Sequence, residues 1–132
     1  MCTFDAHWRI SPGDFTSAAR VRVEFRQALL SNCAPSSDVG GAEIIFGELV
    51  TNALRHGKAG ADVTVRCKGE LFALEIADDG PGFDLESVAQ RERVDDGGRG
   101  LMIADRLGAR LRAERRSGKW VVEAVLPVAC SR

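Results

Sequence analysis

No stretch of this chain is long and apolar enough to span a membrane, and its first residues lack the apolar core of a secretory leader. Cysteine is scarce and scattered. Cys2, Cys33, Cys67 and Cys130 form no CxxC pair and no Cys/His cluster, which argues against zinc and against a disulfide framework. Cys67 lies in an alternating pattern and reads as a small core residue. An excess of one charge is also missing. The formal net charge is −1, which provides no basis for a nucleic-acid or anionic-membrane partner. There is no GxxxxGK[ST] run, so a P-loop is excluded, and no internal repeat or linker divides the chain. These absences set the expectation of a single domain, residues 1–132, in a reducing cytoplasm.

Hydrophobic residues make up 45% and charged residues 28%, enough to bury an ordinary core. Trp8-Arg9-Ile10 alternates as a short strand and is stopped by Ser11-Pro12-Gly13. A helix follows over residues 14–30, with Asp14 as its cap and Phe15, Ala18, Ala19, Val21, Phe25, Ala28 and Leu29 as its apolar positions. Residues 32–41 are rich in Ser, Pro and Gly and form a loop, within which Asp38 can cap a second helix, Val39–His56, with Gly57 as its stop.

That second helix is the unusual element. At about 100° per residue, Ala42, Ile45, Phe46, Leu49 and Ala53 form one apolar stripe. Glu48, Asn52 and Arg55 gather on its flank at i, i+4 and i+3 steps. Arg55 and His56 read as a surface arginine and a helix-end residue near the C-terminal dipole. Glu48 and Asn52 need another reason to lie beside a buried face.

After Gly60 the period changes from helical to alternating. Ala61–Lys68 and Leu71–Asp78 form a hairpin across Gly69. Phe72, Leu74, Ile76 and Asp78 share one face, so the apolar series ends in a carboxylate that must find donors in the protein or in a ligand. Asp78-Asp79-Gly80-Pro81-Gly82-Phe83 then turns, its glycines allowing close backbone approach. Residues 85–96 are charged and weakly periodic and read as a mobile segment. Gly97-Gly98-Arg99-Gly100 opens a short helix over residues 101–107, where exposed backbone N–H groups suit phosphate. Two strands over residues 109–116 and 119–128 finish the chain. Arg106, Arg110, Arg112, Arg115, Arg116 and Lys119 concentrate positive charge there, read as a solvated strand-and-turn face before a partner patch.

A purine nucleotide accounts for these features together. Its exocyclic amine can donate to Asp78. Gly80 and Gly82 let the backbone lie against base and sugar, and the Gly98-Arg99-Gly100 loop receives phosphates. Asn52 can offer a neutral oxygen to Mg²⁺, and Glu48, one turn away, can polarise an attacking hydroxyl or water.

On these residues the chain resembles the GHKL ATPases, a superfamily that includes histidine-kinase catalytic domains, gyrase B, Hsp90 and MutL. Glu48…Asn52 looks like the N box, Asp78-x-Gly80-x-Gly82 the first glycine box, and Gly98-x-Gly100 the second. The run Glu48-Leu49-Val50-Thr51-Asn52-Ala53-Leu54-Arg55-His56-Gly57 is most similar to the anti-sigma factor serine/threonine kinases of the RsbW and SpoIIAB type. The resemblance implies a two-layer α/β sandwich, with a mostly antiparallel sheet and helices on one face. It implies ATP and Mg²⁺ as cofactors, with residues 83–97 as a lid. Glu48 would be the general base, Asn52 the Mg²⁺ ligand and Asp78 the adenine contact. Gly80, Gly82, Gly98 and Gly100 would form the pocket backbone, while Arg99 is open between phosphate contact and solvent. The implied partners are a STAS-type antagonist carrying the acceptor serine or threonine, a sigma factor, and a second copy in a homodimer. One departure stands out: Asp95 and Asp96 lie where such kinases often carry a basic residue, leaving Arg91, Arg93 or Arg99 to replace it. A non-catalytic ATP-binding interaction module and a histidine-kinase-like catalytic domain acting in trans are the alternatives.

Overall fold

The computed structural model describes residues 4–35, 37–82 and 110–130. The expected lid, the second glycine box with Gly98, Arg99 and Gly100, the helix over 101–107, Arg91, Arg93 and the Asp95–Asp96 pair lie outside the described residues. Within them the order is β1 (Asp5–Ile10), α1 (Phe15–Asn32), α2 (Val39–His56), β2 (Ala61–Lys68), β3 (Leu71–Asp78), β4 (Arg110–Arg116) and β5 (Lys119–Ala129).

The five strands make one antiparallel sheet in the order β1-β2-β3-β5-β4. Alternation dictates its two faces. Ala61, Val63 and Val65 of β2, Phe72, Leu74 and Ile76 of β3, and Val122, Ala124, Leu126 and Val128 of β5 are buried beneath the helices. The other face carries charge and is laced with ion pairs, Arg66 and Arg116 to Glu75 and Lys68 to Glu123 among them. The expected α/β sandwich, with helices on one side of an antiparallel sheet, is the observed architecture. β1 is longer than Trp8-Arg9-Ile10 because its pairing with β2 starts at Asp5 opposite Arg66.

Both helices begin as the sequence predicts. Asp14 accepts from Ser17 N at 2.9 Å and Asp38 from Gly41 N at 2.8 Å, each satisfying a donor left open at a helix start. On α1 only part of the expected apolar set faces inward. Val21, Phe25 and Leu29 follow at four-residue spacing and are buried, whereas Phe15 is exposed, as are Val23 and Leu30, which were not in that set. In α2 the stripe Ala42, Ile45, Phe46, Leu49 and Ala53 is buried as expected. Phe25 and Phe46 stack with ring centroids 4.6 Å apart, locking the two helices together over the sheet.

The cysteines are less scattered in space than in sequence. Strand pairing sets the Cys130 thiol 2.7 Å from Cys67 Sγ, and Cys33 forms a β-bridge with Cys130. Burial raises the Cys130 thiol pKa. Among the described residues no group of three or more His, Cys, Asp or Glu side chains could hold a metal, and no helix is long and apolar enough to cross a membrane.

Candidate nucleotide site

The site is built where the end of α2 meets the end of β3. Leu49, Val50 and Ala53 fix the helix against the sheet, leaving Glu48 and Asn52 half-buried on the flank while Thr51 and Arg55 are exposed. Arg55 thus separates from the polar pair with which its spacing grouped it. Gly57 closes the helix, its N–H donating to the Ala53 carbonyl at 2.7 Å. Its backbone is extended (φ −87°, ψ 135°), so no left-handed turn demands glycine there. The demand comes from proximity: a Cβ on Gly57 would stand 2.8 Å from Asp78 Cβ and 2.9 Å from the Ala53 carbonyl oxygen. The helix end therefore lies directly against Asp78. At about 1.5 Å rise per residue, Asn52 lies roughly 7–8 Å back along the axis and Glu48 about 6 Å further.

Asp78 is 4% exposed and is the one charged residue in the core among the described residues. Its Oδ1 accepts from Gly80 N at 2.7 Å, closing the turn on the carboxylate. Neighbouring Asp79 bonds to the loop that follows α2. One oxygen accepts from both Lys58 N at 2.8 Å and Ala59 N at 3.0 Å, pinning the α2–β2 loop to the turn. The Ala59 N–H lowers the Asp79 pKa most. Partial desolvation opposes it, and the Lys58 N–H, the residue's own N–H and the Lys119 charge add to it.

The turn is gripped from its other side by the β4–β5 hairpin. Arg115 donates from Nη1 to the Gly80 carbonyl at 3.0 Å and from Nη2 to the Pro81 carbonyl at 2.6 Å. Its guanidinium sits 5.5 Å from the Trp120 ring centroid, within cation–π range. Trp120 is directly opposite Asp78 in the β3–β5 register. Gly82, at φ 80°, packs so closely that a Cβ would approach the indole to 2.7 Å. Gly82 therefore packs against the protein's own tryptophan.

A model of the histidine kinase-like ATPase domain family matches residues 12–126, nearly the whole chain. The chain belongs to this family. Solved structures share the fold. The catalytic domain of histidine kinase ThkA superposes with a TM-score of 0.57 at 15% identity, covering 93% of this chain and 97% of that one. AdeS, a histidine kinase of Acinetobacter baumannii, gives 0.53 at 16% identity over 92% of this chain and 66% of its own. The histidine kinase domain of the Erythrobacter litoralis EL346 blue-light activated kinase gives 0.51 at 22%, over 93% and 68%. At such identities the likeness is one of fold. No curated protein matches the chain.

Membership in a histidine kinase-like ATPase domain family makes ATP the implied nucleotide. In this ATPase domain Asp78, Gly80 and Gly82 lie on one turn, and Glu48 and Asn52 on the helix that ends against it. The donor chemistry fits Mg²⁺ in one way only. A single neutral oxygen from Asn52 beside Glu48 is no protein cage, so the ion's remaining ligands would be phosphate oxygens and water. Arg115 and Trp120 are parts of the site that sequence reasoning passed over, Arg115 because it lay in a basic run read as solvated. For Trp120 a signal was present. Trp120 opens the inward series Trp120, Val122, Ala124, Leu126, Val128 as Asp78 closes its own, so antiparallel pairing of the two strands brings the ends together.

Proposed function

We propose that this chain is an ATP-dependent serine/threonine protein kinase of the anti-sigma factor type, acting on a STAS-type antagonist and holding a sigma factor as a homodimer. The observation that carries the reading is the buried Asp78, closed by Gly80 N–H and set against the end of the helix that bears Asn52 and Glu48. A carboxylate buried in an otherwise apolar layer is costly unless it is used, and an adenine exocyclic amine is a matching donor. The Glu48–Asn52 spacing and the run through Gly57, which are similar to the anti-sigma factor kinases, support the finer assignment. The homodimer and both protein partners rest on that resemblance alone.

On this reading Asp78 orients the base, and Asn52 contributes one oxygen to Mg²⁺, which when bound neutralises charge on the phosphates. Glu48 accepts the proton of the acceptor hydroxyl as its oxygen attacks the γ-phosphorus. The bond between that phosphorus and the β–γ bridging oxygen breaks, and ADP leaves with the electron pair. Gly98, Arg99 and Gly100 are assigned to the phosphates.

The acidic pair Asp95–Asp96 supports a second reading, a non-catalytic ATP-binding interaction module. Incubation with labelled ATP, Mg²⁺ and candidate STAS proteins separates the two. Label on a serine or threonine, lost in Glu48→Ala, is the expected result. ATP binding and partner capture without transfer would establish the module instead, and label on a histidine would point to a domain working in trans.

A further inference from the structure

We propose that Arg115 is a positioning residue for nucleotide binding, acting on the Asp78 end of the site through the Gly80-Pro81-Gly82 turn. The proposal rests on the assignment of Asp78 to the base. The Gly80 N–H and the Asp78 carboxylate close the turn, but a three-residue turn of this kind, with glycine at both ends, has little of its own to resist rearrangement. Arg115 supplies the resistance from 35 residues away in sequence. Its planar fork meets two successive carbonyls, at 3.0 Å and 2.6 Å, a geometry that the point charge of lysine does not reproduce. The same guanidinium lies over Trp120, whose ring fills the space that the missing Cβ of Gly82 leaves open. Because Trp120 faces Asp78 across the strand pair, the hairpin, the turn and the carboxylate form one connected unit.

With both carbonyls held, the Gly80 N–H is held towards Asp78, and the acceptor is presented in one orientation. Arg115 is exposed, yet it does not need to touch the nucleotide to affect it. Its influence falls on the base end and is independent of how many phosphates follow.

Calorimetric titration of the full chain with adenosine, ADP and ATP, for the wild type, Arg115→Ala and Arg115→Lys, tests this. Thermal unfolding and amide exchange at Gly80 are followed in parallel. Arg115→Ala is expected to weaken all three ligands by the same factor, about tenfold, and to speed exchange at the Gly80 amide with little change in unfolding midpoint. Arg115→Lys should recover part of the affinity. A loss that grows from adenosine to ATP would make Arg115 a phosphate contact and overturn the proposal, and so would wild-type affinity in Arg115→Ala. Wild-type protein that binds no adenine compound would remove the base assignment itself, and this role with it.

Discussion

Gly57 shows how a single missing side chain shapes the site. Its φ would suit any residue, but a methyl group there would meet both Asp78 and the Ala53 carbonyl. Gly57→Ala should push the helix end away from β3 and lower stability by about 1–3 kcal/mol, the usual range for overpacking. Chemical denaturation should register this as a lower midpoint with an unchanged slope. Asn52 is the other residue whose role can be isolated. It is half-buried and carries a neutral amide oxygen, so on the proposed role Asn52→Ala should leave Mg²⁺-free ATP binding close to wild type while removing the gain that Mg²⁺ brings. Titration with and without the ion reads both quantities, and a Mg²⁺ response equal to wild type would end the assignment of Asn52 to the metal.

Among elements, α2 and the ends of β3 and β5 do most to define the site, and α1 holds α2 in place. Phe25 of α1 is fully buried and stacked on Phe46 of α2. Phe25→Ala should therefore cost about 3–5 kcal/mol, measured by urea unfolding. The α2–β2 loop is tied to the turn by Asp79, and this tie depends on pH. The Asp79 pKa is lowered in the folded state from the ordinary carboxylate value of 3.8. Its stabilising contribution is thus fully present above 3.8 and is lost as pH falls through the lower folded-state value. Asp79→Asn should flatten that part of the acid limb of the stability profile, and an unaltered acid limb would show that the tie contributes nothing.

The same elements show what could be read in advance. Both helix caps, the α2 stripe and the β2–β3 hairpin follow from local patterns, because each depends on residues a few positions apart. The position of Asp78 among buried residues was legible for the same reason, as the last member of an alternating series. Arg115 was not legible. Its bonds to Gly80 and Pro81 arise only when β5 pairs with β3 and carries β4 beside it, and nothing in the basic run around Arg115 marks that event. Phe15 on α1 was misread because it satisfies a helical period without lying on the buried side.

For the molecule as a whole, one antiparallel sheet divides its faces by function. The charged side is balanced by cross-strand ion pairs, while the side under the helices is apolar until it reaches Asp78. On the function proposed above, that carboxylate is kept there to meet the base of the nucleotide. The central claim is therefore that Asp78 is the base acceptor. Isothermal titration of ATP into the folded wild type and into Asp78→Asn tests it most directly. Replacing the carboxylate by an amide should weaken binding more than tenfold, about 1.4 kcal/mol, with the fold retained by circular dichroism. Equal affinity in a folded Asp78→Asn protein would contradict the account.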